Sequence, residues 1–209
     1  MSRIGRRVEE VLRGDSRRNS WWIALVCGLA YGAIMGSFGG RVGQMAYSAL
    51  KVPLLLGATV LLTLPSFFMV NTLLGLRADF GTALRGVIAS QAGLTIVLVS
   101  LAPITLFWYA SSAVYQQAIL FNGLMFGVAS LGAQVILVRA YRPLIDRNPI
   151  HRRLLKLWLV LYSFVGIQMG WILRPFIGDP TEPTQFFRTG AWDNAYEIVA
   201  KMAWGVFSR

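Results

Sequence analysis

Residues 28–40, GLAYGAIMGSFGG, place a glycine at every fourth position of an apolar run. Glycine is a poor helix former, yet inside lipid a stripe of small residues lets two helix backbones touch. The stretch therefore predicts a closely packed transmembrane helix, either within one bundle or along a seam between copies of the chain. The candidate packing glycines here and in the last apolar run are Gly28, Gly32, Gly36, Gly40, Gly166 and Gly170.

Composition places the chain in the membrane class. Of its 209 residues, 56% are hydrophobic and only 14% are charged, which is far from the balance of a soluble domain. The single cysteine, Cys27, and the single histidine, His151, cannot build a disulfide framework or a cluster of metal ligands. Neither a phosphate-binding glycine loop nor a serine nucleophile elbow occurs. We therefore expect no enzymatic activity, no catalytic residue, no metal and no cofactor.

Five apolar segments are long enough to cross the roughly 30 Å hydrocarbon core of a bilayer as helices. We predict an all-α polytopic bundle of about five transmembrane helices within residues 21–174. An odd number of spans places the two termini on opposite sides of the membrane. The segments cover about residues 21–39, 50–76, 84–109, 115–138 and 154–173.

The distribution of Lys and Arg predicts the orientation of the bundle. Fourteen of the 20 basic residues lie before the first span, in the loops after the second and fourth spans, or at the very start of the span that follows each loop. Basic residues in short loops favour the cytoplasmic side, so we predict an N-terminus inside and a C-terminus outside, in a cell inner membrane. The net charge of +11 has the same origin, and we expect no specific nucleic-acid binding.

Both flanks of the bundle are expected to meet the lipid bilayer. Residues 1–20 form a basic amphipathic cytoplasmic segment, which is either a helix on the membrane surface or a solvated tether. Residues 175–209 begin with a proline-rich turn outside the membrane and end in an amphipathic interfacial helix whose Trp192 and Tyr196 favour headgroup depth.

The end of the last span carries the most specific local motif, QMGWILRPFIGDP. A tryptophan and an arginine anchor the outer interface, a proline ends or bends the helix, and a Gly-Asp-Pro run favours a turn. The motif is either a well-anchored helix end or a surface for a partner protein. Its candidate residues are Gln168, Trp171, Arg174, Pro175, Gly178 and Asp179.

The second span is the candidate for a cavity, because Pro65 interrupts its helix and Asn71 adds a polar side chain. Kinked helices surround binding sites in transporters, although kinks also occur in ordinary bundles. No ionisable residue is predicted at mid-membrane. Lys51, Arg85 and Arg174 fall at span ends, from which long side chains can reach the headgroups.

Three stretches, LYSFVGIQMGWILRPFIGDPTEPTQFFR, KVPLLLGATVLLTLPSFF and LAPITLFW, resemble a poorly characterised family of small bacterial inner-membrane proteins. The distinctive part is the GWxLRPFxG core with a following FFR. Members sometimes carry the label actin-binding WH2 domain, but the chain has no amphipathic helix followed by an LKKT-like motif. The layout is also similar to that of Yip1-type membrane proteins, which act in eukaryotic vesicle traffic as partners of other proteins; similarity of layout does not transfer function.

Two functions fit these observations. The leading hypothesis is a non-enzymatic membrane scaffold or accessory subunit that binds a membrane protein partner through its glycine face and its outer proline-rich segment. The alternative is a channel or transporter component, built as a homo-oligomer around the first span or around a cavity at the second.

Overall fold

The computed structural model describes residues 17–188, with side chains from Ser20 onward, and this part of the chain is helical without strands. Two short 3₁₀ turns, Phe38–Gly40 and Arg77–Asp79, precede the second and third helices. The predicted surface helices in residues 1–16 and 189–209 lie outside the described residues. The five helices are α1 (Arg17–Gly36), α2 (Val42–Leu73), α3 (Phe80–Ser111), α4 (Tyr115–Arg147) and α5 (Ile150–Ile172).

Four of these helices, α2 to α5, are long and apolar enough to cross a membrane, while the apolar part of α1, Ser20–Gly36, is shorter. The all-helical class is thereby confirmed, and the fold is that of a multi-pass membrane protein. The chain leaves the helical path after Gly36 and turns through Gly39 and Gly40, which have φ values of 75° and 69°. Only glycine adopts this backbone conformation readily, so these residues fix the end of α1.

Two helices extend well beyond the predicted spans. α2 begins at Val42 rather than near residue 50, and α4 continues to Arg147 rather than ending near residue 138. Hydropathy locates lipid-facing segments, whereas a helix continues for as long as its side chains find contacts. In the last turns of α4, Tyr141 and Leu144 are buried in a core shared with α3 and α5.

The first helix lies between α2 and α3 and packs closely against both, so α2 and α3 hardly touch each other. α3 also packs along α4, and α5 lies mainly against α2. As a result α3 is the most enclosed of the four long helices. Its packing faces carry small and β-branched residues, among them Ala83, Val87, Ala89 and Ala92, which are almost completely buried.

Gly32 and Gly36 bring the backbones of α1 and α2 into contact. A Cβ added to Gly32 would overlap the Ser48 carbonyl oxygen and lie 2.8 Å from the Cα of Ala49. At Gly36 it would lie 2.6 Å from the Gln44 carbonyl oxygen. These neighbours are backbone atoms that cannot rotate away, so the spacing of the two helices depends on the missing side chains.

The other candidate glycines differ in their surroundings. A Cβ at Gly28 would meet the Pro53 ring at 3.2 Å, and one at Gly166 would meet a threonine of α2 at 3.6 Å. Gly40 lies beyond the end of α1, and neither Gly40 nor Gly170 has an atom within 4 Å of an added Cβ. Three of the four candidate packing glycines in residues 28–40 therefore face α2 of the same chain.

Buried polar side chains join the helices at two levels. Tyr31 of α1 donates to the side-chain oxygen of Asn122 at 3.2 Å, and Asn122 Nδ2 donates to the Tyr109 hydroxyl at 2.7 Å. At the opposite end of the bundle, His151 Nε2 lies 3.1 Å from an Asp79 carboxylate oxygen. His151 falls between the predicted spans at residues 115–138 and 154–173, but it is the second residue of α5 and is fully buried.

Replacing Gly32 by leucine should lower the melting temperature of the protein in mild detergent, because the side chain would be forced into the α2 backbone. Overpacking of this kind typically costs about 1–3 kcal/mol. Gly170→Leu is the matched control, since its added side chain meets open space. Melting is measured by circular dichroism. Equal melting temperatures for the two variants would contradict this packing.

Candidate functional site

Residues 173–188 leave the end of α5 and fold over the adjoining end of the bundle without forming a helix or a strand. We call them the clasped segment. Backbone hydrogen bonds within it are few: Glu182 N–H donates to the Asp179 carbonyl and Arg188 N–H to the Arg174 carbonyl. Carbonyl groups shielded from water need donors, and most of the donors come from elsewhere in the chain.

The start of α2 supplies those donors from a single face. Arg41 precedes the first helical residue, and Gln44, Ser48 and Lys51 follow at intervals of three or four positions. Residues at this spacing lie above one another on an α-helix. The four side chains, which we call the α2 polar stripe, all donate to carbonyl oxygens of the clasped segment.

The three buried members of the polar stripe bind two consecutive carbonyls. Gln44 Nε2 lies 3.1 Å from the Phe176 oxygen and 3.3 Å from the Pro175 oxygen. Ser48 Oγ also donates to the Phe176 oxygen, and Lys51 Nζ lies 2.5 Å from the Pro175 oxygen. The beginning of the clasped segment is thus fixed against the side of α2.

Further along the clasped segment, other donors continue the pattern. Arg41 spans the turn, with Nη1 2.6 Å from the Glu182 carbonyl oxygen and Nη2 donating to the Asp179 carbonyl. From α4, the Tyr115 hydroxyl donates to the Ile177 carbonyl at 3.3 Å. Two helices therefore hold the segment from opposite sides.

Lys51 departs from its expected place at a span end. The ammonium group lies about two and a half turns inside α2, its residue is fully buried, and it also lies 5.0 Å from the centre of the Phe186 ring. A cation in such surroundings is stabilised by oriented carbonyls and by the face of an aromatic ring. The clasped segment replaces the headgroup water that the sequence led us to expect around Lys51.

The predicted motif residues at the end of α5 and beyond lie in or beside the clasped segment. The Arg174 guanidinium stacks on the Trp171 ring at 3.2 Å, and Arg174 Nε donates to the Trp171 carbonyl. A Cβ on Gly178 would lie 2.8 Å from Arg41 Nη2 and from Gln44 Cγ, so Gly178 permits the close approach to α2. Pro175 follows a cis peptide bond, and Gln168 is partly buried on α5.

Asp179 organises the turn of the clasped segment. Its Oδ1 accepts hydrogen bonds from the Thr181 hydroxyl at 2.7 Å and from the Thr181 N–H at 3.0 Å. These two bonds, followed by the positive charge of Arg41, lower the pKa of the Asp179 carboxyl below its ordinary value. The turn is therefore built around an ionised carboxylate.

Beside the clasped segment lies a cavity of about 390 Å³, bounded by α1, α2 and α4. We call it the clasp cavity. Its walls are mostly apolar, and two arginines contribute the charge. The lining residues are Met35, Leu55, Tyr115, Ile119, Asn122, Gly123, Phe126, Arg174, Pro175, Phe176, Ile177 and Arg188.

A second cavity, of about 420 Å³, lies between α3, α4 and α5. We call it the inner cavity. Neutral polar groups line much of it, and across it the Tyr162 hydroxyl donates to Gln91 Oε1 at 2.8 Å. Phe126 lines both cavities. The polar lining residues are Ser90, Gln91, Ser130, Gln134, Tyr162 and Ser163.

The two residues that suggested a cavity in the second span occupy different surroundings. Pro65 is exposed on α2. Asn71 is buried and donates to the Phe67 carbonyl one turn earlier, at 2.8 Å. Neither residue lines the clasp cavity or the inner cavity, which lie against α4.

Sequence reasoning did not find the α2 polar stripe or either cavity. The stripe had a detectable signal, since Arg41, Gln44, Ser48 and Lys51 recur at helical spacing in an otherwise apolar stretch. Its target had none, because residues 175 and 176 contribute backbone oxygens rather than side chains. Within residues 17–188, no group of three or more potential metal-ligating side chains comes together.

Fold and site together define a multi-pass helical membrane protein with a clasped segment at one end of its bundle. Compared with known proteins, the chain matches no family model, no curated protein and no solved structure. Its function must therefore be argued from its own residues.

Replacing Gln44 by leucine should loosen the clasped segment while leaving the bundle folded, because the Pro175 and Phe176 carbonyls each lose one of their two side-chain donors. A typical intramolecular hydrogen bond contributes about 0.5–1.5 kcal/mol to stability. Hydrogen–deuterium exchange should therefore accelerate in residues 176–188. Gln134→Leu on the exposed side of α4 is the control; equal exchange in both variants would show that the polar stripe does not hold the segment.

The clasped segment should also loosen in acid. Because the pKa of Asp179 is lowered in the folded protein, its contribution to stability is complete above the ordinary carboxyl pKa of 3.8 and is lost as the pH falls through the folded value. Exchange in residues 179–182 should rise over that range in the parent protein. Asp179→Asn should abolish the pH dependence, and an unchanged profile in that variant would assign it to another group.

Proposed function

We propose that the protein is a non-enzymatic scaffold or accessory subunit of a membrane complex, and that the clasped segment is its docking surface. The observation that supports this is the capture of backbone carbonyls from residues 175–182 by the α2 polar stripe and Tyr115. An irregular segment held in one conformation loses little further entropy when a partner binds. The segment is thus suited to recognition.

The side of the clasped segment that faces away from the bundle offers a mixed surface. Phe187 is 44% exposed and supplies an aromatic group, the type of residue that often anchors protein interfaces. Polar and charged side chains surround it. The exposed residues are Pro180, Thr181, Glu182, Pro183, Gln185, Phe187 and Arg188.

The glycine face is a less suitable docking surface than the sequence suggested. Gly28, Gly32 and Gly36 contact α2 of the same chain, so a partner helix would have to displace α2 to reach them. A partner would instead meet the clasped segment, which under the proposed orientation lies outside a cell inner membrane with the N-terminus inside.

A channel or transporter component is the second candidate function, and a specific observation favours it. The clasp cavity and the inner cavity share Phe126 as a lining residue, so two cavities of about 390 and 420 Å³ adjoin the same side chain of α4. Purified protein in liposomes would then conduct an ion or solute unaided. An accessory subunit produces no flux under the same conditions and co-purifies with a different protein.

Docking can be tested with a photo-crosslinking residue, p-benzoylphenylalanine, placed at Phe187 in the source membrane. We expect one adduct of defined mass, containing a different membrane protein, whose yield falls severalfold when Gln44→Leu loosens the segment. Leu131 is the control position, because it is exposed on the apolar surface of α4 and should contact only lipid.

Each other outcome of the crosslinking experiment excludes part of the proposal. An adduct with the mass of two identical chains would favour a homo-oligomer and lead to the flux assay. Adducts of the same mass from Phe187 and Leu131 would show that the clasped segment is not a specific docking surface. An adduct whose yield is unaffected by Gln44→Leu would show that docking does not require the clasped segment to be held against α2.

A further inference from the structure

The clasp cavity combines an apolar interior with positive charge at one end. We propose that it binds one anionic phospholipid from the leaflet at that end of the bundle. The phosphate would be held by Arg174 and Arg188, and the first part of an acyl chain would fill the apolar interior. Its volume of about 390 Å³ falls within the range of typical ligand pockets.

The apolar part of the clasp cavity is accessible from the surface of the bundle. Ile119 is 44% exposed and Gly123, one turn further along α4, is also exposed, so both form its rim. Leu55 of α2 and Phe126 line the interior. Both α2 and α4 are long and apolar enough to span a membrane, so an acyl chain can enter sideways.

The charged part of the clasp cavity is fixed by the clasped segment. The Arg188 N–H donates to the Arg174 carbonyl at 3.2 Å, which brings the two arginine residues together although they are distant in sequence. Stacking on Trp171 orients the Arg174 guanidinium. Guanidinium groups bind phosphate oxygens through paired, charge-assisted hydrogen bonds.

The remaining polar groups do not compete for the phosphate. No acidic side chain lines the clasp cavity among the described residues. Asn122 is bonded to Tyr31, Tyr109 and a backbone carbonyl, and the Tyr115 hydroxyl is bonded to the clasped segment. The nearby Asp179 carboxylate interacts with Arg188 but also with Arg41, and it does not line the cavity, so the charge of the lining itself is positive.

A lipid suits this cavity better than a soluble anion. A free phosphate could use the two arginines but would leave the surfaces of Leu55, Ile119 and Phe126 without a partner. A phospholipid can occupy both parts of the cavity at once. Its phosphate meets the two arginines, and the acyl chain joined to that phosphate fills the apolar interior. The residues that line the clasp cavity differ mostly from those on the proposed docking face, so the two activities can be tested separately.

The test is a titration of the full, delipidated chain in detergent, in which native mass spectrometry measures the number of bound ligands at each concentration. Three probes are compared: phosphatidylglycerol, phosphatidylcholine with identical acyl chains, and inorganic phosphate. We expect one phosphatidylglycerol per chain, bound about tenfold more tightly than phosphatidylcholine, which is the scale of one good charge-assisted interaction. Inorganic phosphate should not compete.

Two glycines of α4 provide matched variants. An added Cβ at Gly123 or Gly127 has no neighbouring atom within 4 Å, so α4 should tolerate leucine at either position. Only Gly123 lines the clasp cavity. Gly123→Leu should therefore weaken phosphatidylglycerol binding about tenfold by occupying the space of the acyl chain, whereas Gly127→Leu should bind like the parent.

Charge is tested in the same way. Arg188→Gln should remove most of the preference for phosphatidylglycerol over phosphatidylcholine, whereas Arg139→Gln, an equal change of charge at an exposed site on α4, should not. Equal binding of the two lipids, competition by inorganic phosphate, or equal effects of the Gly123 and Gly127 variants would each overturn the assignment. A variant that fails to fold would lack a melting transition. The other matched pair, either the two glycine variants or the two arginine variants, would then still test the assignment.

Discussion

A carbonyl group that is withdrawn from water in an apolar environment must find a hydrogen-bond donor. At one end of this bundle the carbonyls belong to an irregular segment, and α2 provides the donors. This pairing explains why α2 begins at Val42, why Gln44 and Ser48 interrupt its apolar sequence, and why Lys51 is buried. The clasp cavity and the exposed docking face both depend on the same contacts.

The rest of the bundle depends on how closely helices can approach. Gly32 and Gly36 allow α1 to lie against α2 with backbones in contact, and α1 in turn separates α2 from α3. α3 packs along α4 as extensively as α1 packs along α2, whereas α4 meets α5 over a short length. The inner cavity lies beside this sparse contact, between α3, α4 and α5.

The helical class could be predicted from sequence because it follows from mean hydropathy, which needs no knowledge of contacts. Helix ends were less predictable: Arg41 and Lys51 look like features of a loop and a span end until residues 175–182 are seen to receive their hydrogen bonds. The motif around Arg174 was recognised, but its role in a cavity wall depends on Arg188 lying beside it. A cavity is a property of space left between helices, and no periodicity in one helix encodes it.

The contact between the α2 polar stripe and the clasped segment can form only late in biosynthesis. Lys51 and the carbonyl that receives its hydrogen bond are 124 positions apart in the chain, and three complete helices separate them. Because a chain is made from its N-terminus, α2 is synthesised before the carbonyl groups that its polar stripe binds. The stripe stays without these acceptors until α5 and the clasped segment have been made. During insertion, a lysine, a glutamine and a serine on one helix face therefore need other acceptors. A polypeptide truncated before Pro175 would never supply the carbonyl groups that these three side chains bind.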